Sequence, residues 1–217
     1  MNRAVEVIPV AWWLPGSRWL SVVGLGITLG VATAWVDVRA GGLEQDGLWR
    51  ATSMVLNSGS AWATLAVVSG SLIGRPFAAA LGGTIALMCA VAGYYAFGVV
   101  VGDRAQVGLA GVSGAVRMWA ILAVVVGPVL GFAGSQIRRS GIIGFVAGLI
   151  VPVGIVVEML GLRRLSGETF AVDPALAWAQ TSMVAVAILG AGWVMIKRYR
   201  RTENESQLGL PEEGDRP

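Results

Sequence analysis

Residues 77–101 read FAAALGGTIALMCAVAGYYAFGVVV, twenty-five positions without a charged side chain. At 1.5 Å per helical residue such a run is long enough to cross a bilayer core of about 30 Å. Five similar runs lie at about 19–38, 54–74, 117–137, 141–161 and 176–196, joined by short charged segments. In hydrocarbon the backbone must satisfy its own hydrogen bonds, so each run predicts a helix. The runs are continuous and lack strand-type alternation, which argues against a barrel. The sequence therefore predicts an all-α polytopic bundle of six transmembrane helices over residues 19–196. An interfacial tail, residues 1–18, precedes it. A basic and then acidic disordered tail, residues 197–217, follows it.

Composition points the same way. Hydrophobic residues make up 55% of the chain and charged residues 13%, about half the charged share of a soluble domain. The 31 glycines would weaken helices in water, but in lipid they let helix backbones approach closely. Several of the nine tryptophans fall near span ends, where indole favours the interface. The basic residues are spread over loop ends and do not form one face, so nucleic acid is not an expected partner. The single cysteine, Cys89, lies inside an apolar run and reads as packing. The absence of histidine removes haem-axial, His-zinc and His-based nucleophilic chemistry. No carboxylate or Cys cluster has metal-ligand spacing and no phosphate loop is present, so neither a metal nor a cofactor is expected. With no base–nucleophile pair, the chain does not read as an enzyme.

Ala32-Thr33-Ala34 has the small-x-small form of a cleavage site. The long preceding tail with Glu6 and the long glycine-rich run argue instead for a retained first span. With the N-terminus inside, the inner loops carry Arg3, Arg18, Arg75, Arg138, Arg139, Lys197, Arg198, Arg200 and Arg201. The outer loops carry Arg39, Arg50, Arg104, Arg117, Arg163 and Arg164. The bias, strongest at Lys197–Arg201, places both termini in the cytoplasm.

Small residues recur at four-residue spacing in Gly26 and Gly30, Gly70 and Gly74, Gly127 and Gly131, and Gly144 and Gly148. Such pairs mark close helix packing, within the bundle or between copies in a homo- or hetero-oligomer. Pro128 and Pro152 fall mid-span and predict kinks. The run Trp62–Gly74 echoes Trp119–Gly131, with Trp, Ala, Leu, Ala, Val, Val, Gly and Gly at matching offsets. A parallel repeat and a chance likeness of Ala-, Val- and Gly-rich helices both account for it.

The ionisable and polar residues inside the spans gather toward one side of the membrane. Glu158 shares a helical face with Gly144, Ala147, Gly148, Val151 and Gly154, which should carry it inward. Ser53, Asn57, Ser60 and Thr64 would line one face of a continuous second helix. Asp37 ends the first span and Tyr94 and Tyr95 lie in the outer part of the third. Arg117 opens the fourth, where it could pair with Glu158 or Asp37. Gln180 and Thr181 lie near the start of the sixth. Glu158, Arg117, Asn57, Tyr94, Tyr95, Asp37 and Gln180 thus form the candidate substrate-binding set, in an outward-open polar pocket above an apolar floor.

The segments Asn57-Ser58-Gly59-Ser60-Ala61-Trp62, Ala92-Gly93-Tyr94-Tyr95 and Gly127-Pro128-Val129-Leu130-Gly131 resemble those of an uncharacterised family of small bacterial six-helix integral membrane proteins, defined only as a domain of unknown function. The resemblance covers most of the chain from the first span to the last. It implies a bacterial inner-membrane location and brings no assigned substrate or catalytic residue. The function expected from the residues is binding or transport of a small solute. The alternative is a non-catalytic assembly or scaffold subunit that packs on a partner through its glycine faces.

Overall fold

A computed structural model describes residues 16–41, 47–101, 108–165 and 174–207. Among these residues there are seven α-helices and no strand: α1 (Gly16–Ala40), α2 (Gly47–Leu56), α3 (Gly59–Ile73), α4 (Pro76–Val100), α5 (Gly108–Gln136), α6 (Gly141–Leu165) and α7 (Pro174–Gln207). Five of them, α1, α4, α5, α6 and α7, are long and apolar enough to cross a membrane. The protein is an all-α membrane-embedded bundle. The expected interfacial tail lies mostly outside the described residues, since only residues 16–18 belong to α1.

The second expected span departs from a single helix. It is broken at Asn57-Ser58 into α2 and the 15-residue α3, which at 1.5 Å per residue reaches only about 22 Å. The cause is local. Asn57-Ser58-Gly59-Ser60 joins three residues whose side chains compete for backbone hydrogen bonds to a glycine of low helix propensity. Ser58 adopts extended backbone (φ −65°, ψ 142°) and caps α3. At the far end Gly74 takes the left-handed conformation (φ 76°) and its N–H bonds the Gly70 carbonyl. Pro76 then opens α4.

α4 is the central helix and packs against α1, α3 and α5. The contacts are backbone to backbone, through glycine. A Cβ on Gly30 would land on the Ala90 carbonyl, and one on Gly26 on the Ala86 carbonyl, so α1 lies directly on α4. Gly127 and Gly131 do the same for α5 on α4, against Thr84 and Ala79, while Gly70 meets Gly131 and Gly134 meets Val67 between α3 and α5. The core between these helices is small and aliphatic: Leu65, Ala66, Ile73, Ala79, Ala86 and Ala90 are buried. Both members of two expected glycine pairs, Gly26 and Gly30 and Gly127 and Gly131, therefore pack between helices of the chain, as does one member of each other pair, Gly70 and Gly148. Gly74 is a cap, and Gly144 packs into its own turn against the Arg139 carbonyl.

α6 and α7 pack chiefly on each other, with Gly148 beside Val194 and the Arg198 guanidinium 4.8 Å from the Phe145 ring centre. The pair joins the rest through α2, α3 and α5. The outer faces of α5 and α7 expose Val125, Val129, Trp178, Leu189 and Trp193, as a lipid-facing surface does. Pro128 and Pro152 lie inside continuous helices. α5 begins at Gly108, nine residues before the expected 117. α7 runs past the expected end at 196 to Gln207, so residues 197–207, expected to be disordered, are helical. Their Lys, Arg, Glu and Gln content favours helix once the membrane span has nucleated it. Residues 208–217 lie outside the described residues. The two echoing runs lie side by side in α3 and α5, with Trp62 stacked on Trp119 (ring centres 6.3 Å apart, planes at 25°). Their backbones differ, because α3 starts from a break whereas α5 is unbroken ahead of Trp119.

The glycine contacts set a direct test. Gly30→Val and Gly131→Val should each lower the thermal unfolding temperature in detergent, since overpacking a tight interface costs on the order of 1–3 kcal/mol. Gly24→Val, at an exposed position with no atom within 4 Å, should leave it unchanged.

Candidate functional site

The break between α2 and α3 sits where two carboxylates from other helices converge. Asp37, on the last turn of α1, receives three neutral hydrogen bonds. Its Oδ1 accepts from Ser53 Oγ at 2.6 Å and from Asn57 Nδ2 at 2.7 Å, and its Oδ2 accepts from the Tyr94 hydroxyl at 2.7 Å. A half-buried carboxylate thereby ties α1, α2 and α4 together. Hydrogen bonds to a charged group contribute roughly 1.5–3 kcal/mol each.

Glu158, on α6, meets the other side of the break. Its Oε1 accepts from the Gly59 N–H at 2.6 Å and its Oε2 from the Ser60 N–H at 2.8 Å. Ser58 Oγ accepts from Ala61 N at 3.1 Å. The first three N–H groups of α3 are thus all bonded, two of them by a carboxylate from another helix at the positive end of the α3 dipole. Glu158 does face inward, but its partner is backbone and not an arginine. One residue on, the Met159 carbonyl accepts from buried Gln180 Nε2 at 2.6 Å, which fastens α7 to this turn of α6.

Asp37, Asn57, Tyr94, Glu158 and Gln180 therefore lie in two adjoining groups about the break. Tyr95 is buried edge-on to Tyr94 (ring centres 5.1 Å apart, planes at 84°). Arg117 does not join them. It is exposed on α5, and the pairing expected with Glu158 or Asp37 gives way to the neutral donors just described. The expected polar stripe also dissolves at the break. Ser53 and Asn57 turn to Asp37, Ser60 Oγ lies 3.1 Å from Ser58 Oγ, and Thr64 donates back to the Ser60 carbonyl.

Beside the break lies a cavity of about 310 Å³ between α3, α4 and α5. Asn57, Gly59, Trp62, Tyr94 and Tyr95 line one part, and Leu87, Val91, Trp119, Leu122, Val126 and Leu130 much of the rest. The expected polar pocket is instead mostly aromatic and aliphatic, with its polar groups at one end. Of the seven candidate residues, Asn57, Tyr94 and Tyr95 line it; Asp37 and Glu158 bond to lining residues from behind, and Gln180 bonds Met159, which is not part of the lining. Sequence reasoning missed Ser58, the Gly59 and Ser60 amides and the two tryptophan walls. The signal for the amides was Asn-Ser-Gly-Ser, a turn-forming cluster inside an apolar run.

The profile of a family of unknown function (DUF6518) matches residues 13–206, and the chain belongs to that family. No curated protein and no solved structure matches it.

Because Glu158 caps α3, its loss should register as instability. Glu158→Gln can present an acceptor to only one of the two amides without setting its NH₂ against the other. A loss of roughly 1–3 kcal/mol is expected, read as a lower melting temperature in detergent, and Glu158→Ala should lose more. Melting of Glu158→Gln identical to the parent chain would rule the capping role out.

Proposed function

We propose that this member of the DUF6518 family binds a small, largely apolar solute in the cavity beside the broken second span, as a binding or transport component of a bacterial inner membrane. One observation carries the reading: the span is interrupted at Asn57-Ser58, and the interruption lines a cavity of about 310 Å³. Non-helical backbone at membrane depth is tolerated only where it is buried in protein or lines a cavity, and discontinuous helices form substrate sites in many transporters. The volume lies at the lower end of the range for small-molecule pockets, about 300–1,000 Å³. Aromatic and aliphatic walls with a few polar groups at one end are the usual composition of such pockets. An assembly subunit docking through Gly26, Gly30 or Gly70 is less well supported, because those positions are already covered by α4 and α5.

The same reading has both termini in the cytoplasm, with Lys197–Arg201 on the positive side. Asp37, Asn57, Tyr94 and Glu158 then lie toward the outer face. A cytoplasm-active reporter fused after Pro217 should be active, and a periplasm-active one silent.

Binding is tested with the purified chain in detergent. Ring-bearing cations, neutral molecules and anions are compared by thermal shift and tryptophan emission, since Trp62 and Trp119 line the cavity. Leu122→Trp, which fills the cavity from α5, should abolish every shift the parent chain shows. A panel that moves both proteins equally, or neither, counts against a ligand site here.

A further inference from the structure

We propose that the occupant of this cavity is the hydrocarbon chain of a membrane amphiphile, taken up sideways from the bilayer and held parallel to the helices. The proposal rests on the binding reading above and names its ligand class. Width, depth and opening carry it. The lining covers Leu87 to Tyr95 on α4 and Trp119 to Leu130 on α5, which at 1.5 Å per residue is about 12 and 16 Å along the two axes. A volume of about 310 Å³ spread over that length leaves a mean cross-section of roughly 19–26 Å², a channel about 5–6 Å wide. Nonbonded carbon atoms lie about 4 Å apart, so one hydrocarbon chain fits abreast and two do not.

The depth matches one leaflet. Leu87 stands near the middle of α4, and Tyr95 stands close to its end at Val100. The cavity therefore reaches from near one end of a span to about its centre, roughly 15 Å of a hydrocarbon core of about 30 Å. Its polarity runs the same way as a lipid's. Asn57 and Tyr94 stand at the end near the break, with the Tyr94 hydroxyl held by Asp37. Leu87, Val126 and Leu130 make the deep end aliphatic. A chain in that leaflet already has the depth and direction the cavity requires, with its polar group beside exposed Asn57. Less of its freedom remains to be lost on binding.

The wall on α5 supplies the entrance. Leu122 and Val126 line the cavity yet are 43% and 40% exposed, and their neighbours Val125 and Val129 on the lipid-facing surface are 63% and 66% exposed. Buried Leu87, Val91 and Tyr95 of α4 close the back. The cavity is thus a groove open to hydrocarbon at Leu122 and Val126, and an apolar chain enters it without crossing water. At the polar end the Trp62 and Trp119 ring centres stand 6.3 Å apart. That leaves no room for a third ring between them, since atoms in contact lie about 3.5–4.0 Å apart.

The test places the full-length chain in nanodiscs, where no detergent chain competes for the groove, and reads thermal unfolding. Two alcohols of equal carbon number but different width are compared, 1-dodecanol and cyclododecanol. Dodecanol should raise the unfolding temperature of the parent chain at roughly 10-fold lower concentration than cyclododecanol. Ala63→Leu and Val126→Phe, which narrow the groove from opposite helices, should each weaken the dodecanol effect about 10-fold, and either serves if the other does not fold. Discs of dioleoyl and of diphytanoyl phosphatidylcholine separate the two sources of such a chain, because methyl branches make the phytanoyl chain too wide. A dodecanol effect in both lipids assigns the groove to a free single-chain amphiphile. An effect in the branched lipid alone assigns it to a phospholipid chain, which fills the groove in the unbranched discs. The chain is overturned by cyclododecanol as effective as dodecanol, by a dodecanol effect equal in parent and narrowed variants, or by none in the branched lipid. The ring-bearing panel above then decides the cavity reading separately.

Discussion

The first N–H groups of α3 have no carbonyl within their own helix to meet, and the arrangement around Asn57-Ser58 depends on how they are bonded. Each unbonded amide in hydrocarbon costs several kcal/mol. Glu158 and Ser58 answer the first three amides of α3. The Glu158 charge is in turn stabilised by the helix N-terminus it caps, so two costs offset each other: an ionised side chain within a span and an interrupted backbone. Neither would persist alone. The consequence is architectural as well, because this contact is a main junction between the α6–α7 pair and the four-helix core.

Asp37 does complementary work on the other side of the break. It draws α2 and α4 to the end of α1 through Ser53, Asn57 and Tyr94. Without it, Asn57 would lose the partner that fixes which way its amide points. A carboxylate that accepts from three neutral donors satisfies most of its lone pairs. It shapes the cavity's polar end without lining it. The broken span is therefore held between two acidic side chains, one fixing backbone and one fixing side-chain polarity.

The bundle was legible in the sequence because lipid leaves few alternatives: a charge-free run such as 77–101 can only be a spanning helix. Gly26, Gly30, Gly127 and Gly131 were legible for the same reason, since small residues at four-residue spacing have one common use in lipid. The gathering of Asp37, Asn57, Tyr94, Glu158 and Gln180 followed from topology, which sends alternate helix ends to one side. The break did not. Hydropathy averages over Asn57-Ser58-Gly59-Ser60 and reports an unbroken span, although these residues spell a cap and a turn. Arg117 was misplaced because a charge at a span end has two outlets, a buried partner or the interface. Spacing alone does not choose between them. The long C-terminal helix was missed because charge ends a membrane span without ending a helix.

The cavity itself arises from a gradient of side-chain size between α3 and α5. At one end Gly70 rests on Gly131 and Gly134 on Val67, so the two backbones touch. Toward the other end Trp62 and Trp119 face each other with ring centres 6.3 Å apart, and two indoles hold the helices apart. Two helices whose backbones touch at one level and are held apart by indole rings at another leave a wedge between them. α4 closes one side of it with Leu87, Val91 and Tyr94. The glycines that make the bundle compact thus also place the open space, and they place it at the level where the second span breaks. Packing and polarity converge there because the tryptophans sit within a turn of the α3 cap: Trp62 donates its indole N–H to the Leu56 carbonyl at 3.0 Å, across the interruption. One side chain both props the wedge open and ties the two halves of the broken helix together.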